Sequence, residues 1–161
     1  MRKFTHGGAV LLLIVLSACS NNNTSPTAPT PAATQASLTL SVAPSPITAV
    51  RCSPLCVGTS GATFPYSVSL VLNIQETAGV GGNINQVSLA PSIGTGVQSP
   101  LVYGPDIVVQ RSGTNHVGAR GTLSFPATFL ISTVPFVVNV AVAFGDDKGN
   151  PINGTAQVTV N

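Results

Sequence analysis

From Ser37 to the end of the chain, apolar and polar residues alternate with a period of two. Successive side chains of a β-strand point to opposite faces, so this alternation predicts strands with one buried face. Outside the N-terminal 18 residues no window has a convincing helical period, and Ile107–Val109 is predicted to be a short strand. The two longest apolar stripes are Tyr66, Val68, Leu70, Leu72 and Ile74, and Phe136, Val138, Val140, Val142 and Phe144.

These stripes predict an all-β fold built from antiparallel strands. About seven to nine short strands fit into residues 37–161, and each apolar face needs a second sheet to cover it. A sandwich suits this length more naturally than a barrel, although the pattern permits both. The chain has no Trp and no widely spaced cysteine pair, which argues against an antibody-type domain.

The N-terminus has the composition of a secretory signal. Positive charge at Arg2 and Lys3 precedes the mostly apolar run Gly7–Leu16. A membrane-spanning helix needs roughly 20 apolar residues, so this run is too short to be one. We therefore predict that residues 1–18 form a signal peptide.

The four residues Leu16–Cys19 resemble the lipobox of bacterial lipoproteins. That resemblance implies that Cys19 becomes the mature N-terminus and carries acyl chains such as palmitate, which would make the membrane a partner. Ser20 stands where an aspartate favours inner-membrane retention in many Gram-negative species, so the resemblance implies the outer membrane of the cell envelope.

Residues 20–36 contain no charge and no large apolar side chain. Such a segment cannot bury enough surface to offset the entropy lost on ordering, and its prolines favour extended conformations. We predict that residues 19–36 are a disordered tether between the lipid and a domain at 37–161.

The charges of the mature chain are few and balanced. The formal charge of +2 comes from Arg2 and Lys3, which would leave with the signal. No basic patch remains to hold phosphates, which excludes nucleic acid as an expected partner. The remaining charges are Arg51, Arg111, Arg120 and Lys148 against Glu76, Asp106, Asp146 and Asp147.

Cys52 and Cys56 are predicted to form a local disulfide, because an exported chain meets an oxidising compartment and Pro54 favours a turn between them. A metal-binding pair is the alternative, but His116 is the single histidine of the mature chain. Two cysteines and one histidine are fewer ligands than the four of a typical structural zinc site. A redox motif would more typically have two residues between the cysteines.

Two segments resemble parts of bacterial Ig-like and fibronectin-type domains. Glu76–Ile84 is similar to their strand-to-turn segment, and Phe144–Asn150 followed by Ala156–Val160 is similar to their closing hairpin. The resemblance implies an Ig-like β-sandwich over residues 37–161. Such domains serve as adhesins, spacers and binding modules, so the architecture alone does not identify the function.

No catalytic site and no cofactor are predicted. His116 lies in a Gly-rich polar segment and is expected to be a solvated loop residue, and no Gly-x-Ser-x-Gly elbow occurs. Enzymatic activity would require a cleft that gathers His116 with Asp106 or Glu76.

Asp146, Asp147 and Asn150 are a weak candidate for a cation site, since hard oxygen donors in a loop suit calcium. The segment lacks the spacing and the distal glutamate of an EF-hand loop. A hairpin turn explains the same residues equally well, because Asp, Asn and Gly are favoured in turns.

The hypothesis that follows is a lipid-anchored, non-catalytic envelope protein whose domain binds a protein or glycan partner. The expected contacts are loops at Cys52–Cys56 and Gly113–Gly118, with Tyr103 presented on a loop beside Gly104. The alternative is a structural spacer or an accessory subunit of a secretion or polysaccharide assembly.

Overall fold

Antiparallel strands in two sheets make up most of the fold in the computed structural model. It describes residues 32–93, 96–97 and 99–161. The compact unit among them is Ala32–Asn161. The predicted signal peptide, Cys19 and the tether up to residue 31 lie outside the described residues.

The first sheet has β3, Thr63–Glu76, at its centre. Strand β8, Thr122–Ile131, pairs along one side of β3, with Tyr66 opposite Ile131 and Gln75 opposite Thr122. The other side of β3 is shared by two strands. Strand β1, Leu38–Ala43, pairs with its C-terminal half, and β2, Val50–Val57, pairs with its N-terminal part.

In the second sheet, β9, Phe136–Asp146, lies between β10, Pro151–Val160, and β4, Gly82–Ile93. The far side of β4 pairs with three short strands. Between β1 and β2 the chain crosses to this sheet, where Ile47 forms a parallel bridge with Val160. The three short strands are β5, Gly96–Val97, β6, Leu101–Tyr103, and β7, His116–Val117.

The core lies between the two sheets, and both predicted stripes face it. Val68, Leu70, Leu72 and Ile74 are buried, whereas Tyr66 is half-buried. Phe125 and Phe144 are the largest side chains with full burial. The prediction of an all-β fold with two sheets is confirmed.

The prediction of a strand at Ile107–Val109 is wrong, because these residues lie in helix α1, Pro105–Ser112. Pro105 fits the first turn of a helix, and Gly113 ends the helix in the left-handed region at φ 79°. Val108 is the one buried residue of α1. A helix that buries a single residue leaves no period in the sequence. Among the described residues, no helix has the length and apolar character needed to cross a membrane.

The ordered body begins earlier than the predicted boundary at residue 37. Ala36 is buried, and its backbone N–H donates to Asp146 Oδ2 at 3.1 Å. Lys148 Nζ donates to the carbonyl of Ala33, and Asn150 Nδ2 donates to that of Thr34 at 3.3 Å. Residues 32–36, which were assigned to the predicted tether, therefore pack on the β9–β10 turn.

Candidate binding groove

Two adjacent cavities open at one end of the sandwich, with volumes of about 180 Å³ and about 370 Å³. We call them together the interstrand groove. Val57 and Tyr103 line only the larger cavity. Four residues line both cavities: Phe64, Leu101, Phe129 and Leu130.

Strands of both sheets build the interstrand groove, including β4, whose Pro91 lines the smaller cavity. The β2–β3 hairpin supplies Val57 and Phe64, β6 supplies Leu101, and β8 supplies Phe129 and Leu130. Val57 is 67% exposed and Leu101 is 37% exposed, so part of this apolar surface faces solvent. No Asp, Glu, Lys, Arg or His is among the described residues that line the cavities.

The predicted disulfide between Cys52 and Cys56 is confirmed, with a Cα–Cα distance of 5.4 Å. It lies within β2 and not in a free loop between strands. The pairing of β2 with β3 is interrupted between Arg51 and Cys56 and resumes with Cys56 opposite Phe64. The bridge therefore closes a bulge immediately before Val57. This places the disulfide next to the interstrand groove.

Tyr103 was expected on a loop, but it ends β6 and is half-buried. Its ring packs against that of Phe125 with centroids 5.3 Å apart. The guanidinium carbon of Arg111 lies 4.8 Å from the Tyr103 ring centroid and 5.8 Å from that of Phe125. Arg111 Nη1 also donates a hydrogen bond of 3.4 Å to the carbonyl of Pro126. The stack thus fixes the C-terminal end of α1 beside β8.

Glu76 is fully buried at the end of β3, and its carboxylate accepts four backbone hydrogen bonds. Burial raises the pKa of Glu76, but the backbone N–H donors outweigh it and lower that pKa to about 2. The carboxylate of Glu76 therefore joins three backbone segments to the end of β3. The donors are Arg120 and Gly79 at 2.8 Å, Ala78 at 2.8 Å and Ser37 at 3.2 Å.

Asp146 is the second buried carboxylate. Its Oδ1 accepts hydrogen bonds from the backbone N–H groups of Lys148 and Asn150, at 3.0 and 2.7 Å, and its Oδ2 accepts one from Ala36. Asn150 Nδ2 donates to both oxygens. Burial raises the pKa of Asp146, but these bonds lower it to about 2.

The hydrogen bonds of Asp146 support the turn interpretation of the candidate cation residues. Both oxygens are already engaged by the chain, and Asn150 presents its amide nitrogen to Asp146. Within the described ranges, no three His, Cys, Asp or Glu residues are grouped to hold a metal ion. Asp147, the third candidate with these two, is exposed.

His116 lies in the short strand β7 and not in a loop, although its side chain is exposed. Its Nδ1 is 3.3 Å from Asn83 Oδ1. Among the described residues it makes no hydrogen bond with Glu76 or Asp106. The Gly113–Gly118 segment serves as the connection from α1 into β7.

Sequence reasoning missed the interstrand groove. Its walls come from segments far apart in the chain, and each residue reads individually as part of a strand pattern. The one local signal is Val57, an apolar residue that directly follows the cysteine pair and belongs to neither of the two long apolar stripes.

No protein-family model and no curated protein matches this chain. Solved structures resemble it in fold. The Northeast Structural Genomics Consortium target SoR45 has a TM-score of 0.56 and 10% identity, covering 75% of this chain and 85% of that one. The putative ApaA protein from Bordetella pertussis has a TM-score of 0.53 and 16% identity, covering 76% and 93%. At these identities the likeness concerns the fold alone.

Proposed function

We propose that this chain is a lipid-anchored, non-catalytic protein of the bacterial cell envelope that binds a protein or glycan partner through the interstrand groove. The observation that carries the binding role is an open apolar groove whose described walls hold no acidic, basic or histidine side chain. Exposed apolar patches and concave, mostly apolar clefts are the usual places where proteins bind partners and ligands.

We also propose that the sandwich is of the immunoglobulin-like class, and its strand order supports this assignment. Strands β1, β3 and β8 pair in one sheet, and β4, β9 and β10 pair in the other. The chain passes between sheets from β3 to β4 and again from β8 to β9. Ig-like domains distribute their strands A, B, E and C, F, G in this way. Strand β2 is an addition on the β1 side of β3.

We propose a non-catalytic role because both buried carboxylates, Glu76 and Asp146, are engaged by hydrogen bonds within the fold. Glu76 and Asp146 are held by several hydrogen bonds that lower their pKa to about 2, so both stay ionised near neutral pH and are poorly matched to acid–base catalysis there. His116 contacts an amide instead of a carboxylate. A binding role therefore fits the described residues better than acid–base chemistry does.

Binding through the groove is tested by Leu101→Glu, with Val102→Glu as the matched control. The two residues are neighbours in β6, but Val102 is 55% exposed and lines neither cavity. We expect Leu101→Glu to reduce capture of an envelope partner by the full chain at least tenfold, since it places a charge on an apolar wall that a bound partner would cover. Val102→Glu should leave capture within about twofold. The measurement is affinity capture from envelope extracts with mass spectrometry; equal capture by both variants would contradict a groove-mediated role.

The lipid anchor is tested by Cys19→Ala, with Cys56→Ser as the matched control. We expect Cys19→Ala to abolish labelling by a radioactive fatty acid and to leave the unprocessed precursor, because the thiol is the acceptor. Cys56→Ser removes a different thiol and should retain full labelling. Continued labelling of Cys19→Ala would show that another residue is modified.

A further inference from the structure

The larger cavity of the interstrand groove includes Thr128–Leu130 of β8, which belong to an edge of the first sheet that no strand of the described residues covers. Strand β8 pairs with β3 on one side only. An uncovered edge presents rows of backbone donors and acceptors that can pair with another extended chain.

The ladder register identifies which β8 groups point outward. Pro126 lies opposite Val71 and has no N–H, so this pair cannot be the hydrogen-bonded type that exchanges two bonds. Its carbonyl instead accepts from Arg111, on the side away from β3. Pair types alternate along an antiparallel ladder, so Thr128 and Leu130 also turn their N–H and C=O groups outward. The close contact of Ser69 Oγ with Thr128 Oγ1, 3.0 Å, agrees with a non-hydrogen-bonded pair.

Helix α1 divides this edge into two parts. The hydrogen bond from Arg111 to Pro126 places the end of α1 at the middle of β8. Beyond that point, Thr128 and Leu130 themselves line the larger cavity of the interstrand groove. The outward backbone groups and the apolar walls therefore meet over the same C-terminal part of β8.

The positive charge of Arg111 indicates which side chains a partner would carry at this end of the groove. Arg111 is exposed and stands at the boundary between α1 and the free part of the edge, with contacts to a carbonyl and two aromatic rings. The described groove walls carry no carboxylate to neutralise it. A partner with an acidic residue at this end of the groove would be complementary to Arg111.

We propose that β8 accepts an extended peptide segment as an added strand at Thr128–Leu130, with alternate apolar side chains in the interstrand groove and an acidic residue facing Arg111. This proposal rests on the binding role of the groove given above and names the partner as protein. Main-chain hydrogen bonds give such strand addition its affinity, and pockets for alternate side chains give it selectivity.

The test uses a phage-displayed random dodecapeptide library selected on the full chain in detergent micelles. We expect enriched peptides to alternate apolar residues and to contain an acidic residue. Binding of the synthesised peptides, measured by fluorescence anisotropy, should fall at least tenfold in Thr128→Pro, which removes an outward N–H without breaking the β3–β8 ladder. Thr122→Pro removes an equivalent N–H outside the groove and should keep binding within about twofold.

Two further measurements complete the test. In Arg111→Gln, an expected preference of about tenfold for an aspartate peptide over its asparagine counterpart should fall below twofold. In the unsubstituted chain, hydrogen exchange at the Thr128 and Leu130 amides should slow at least tenfold when the peptide binds. This measurement does not depend on whether any variant folds.

Several outcomes would overturn strand addition. They are no enrichment from the library, equal peptide binding by Thr128→Pro, and a dimer of the chain that Thr128→Pro dissociates, which would make a second copy the occupant. If Leu101→Glu abolishes capture from envelope extracts while Thr128→Pro does not, the groove does bind a partner. In that case only the proposal of strand addition is refuted, and the binding role of the groove stands.

Discussion

Replacing Glu76 with alanine is expected to lower the free energy of unfolding by about 3 kcal/mol or more. The carboxylate of Glu76 accepts bonds from backbone groups in three separate segments: the β3–β4 turn, the turn before β8 at Arg120, and the N-terminal arm at Ser37. Removing it leaves several buried N–H donors without partners, each at a cost of about 1–3 kcal/mol before water enters. Urea denaturation followed by circular dichroism gives the value.

The control for this prediction is Asp106→Ala, which removes an exposed carboxylate from the first turn of α1. Its expected cost is at most about 1 kcal/mol, since it loses only a favourable interaction with the helix dipole. Glu76→Gln should fall between the two, because it keeps one acceptor oxygen. A loss for Glu76→Ala no larger than that of Asp106→Ala would show that Glu76 does not hold the three segments together.

The pH dependence of unfolding follows from the same carboxylate. The pKa of Glu76 falls from an ordinary 4.5 to about 2, with burial raising it and the backbone donors lowering it by more. A depressed pKa in the folded state gives stability that is complete above the unfolded pKa and is lost as the pH falls towards the folded one. We expect the free energy of unfolding to decline from about pH 5 to pH 2, and to decline less steeply in Glu76→Ala. Asp146 acts in the same direction.

Replacing Phe125 with alanine is expected to cost about 3–5 kcal/mol, the range for removing a large aromatic side chain from a core. Phe125 has no exposed surface and packs against Tyr103, over which Arg111 lies. The cavity left behind removes the support of both neighbours, and relaxation can fill only part of it. Thermal and urea unfolding of the full chain in detergent provide the measurement.

Phe64→Ala is the matched control for Phe125→Ala. Phe64 is half-buried and lines the interstrand groove, so its truncation removes less buried surface and should cost roughly half as much. A loss for Phe125→Ala below about 1.5 kcal/mol, or no larger than that of Phe64→Ala, would contradict the tight packing of Phe125 in the core.

The strands of the core were predictable because their signal is local. In β3 and β9 the stripe residues occupy every second position, and the structure buries all of them except the half-buried Tyr66. Helix α1 was missed because only Val108 is buried, and one contact creates no period. The ordered arm at residues 32–36 was missed because it is held through its own backbone groups, at Ala33, Thr34 and Ala36, which leave no trace in side-chain composition.

The interstrand groove was beyond sequence reasoning for a related reason. Phe64, Leu101 and Phe129 belong to different strands, and no local pattern states that they approach one another. The outward edge of β8 depends on which strand pairs with which, and long-range pairing decides that. The structural role of Glu76 was not predicted, because composition shows a carboxylate without showing its four backbone donors.

The all-β fold, the two longest core strands and the Cys52–Cys56 bridge could be predicted from the sequence, because alternation and short separation are properties of neighbouring residues. The strand order, the burial of Glu76 and Asp146 and the position of the groove became visible only in the folded structure. Those features arise from contacts between residues distant in the chain, whose energies depend on geometry that no local pattern encodes.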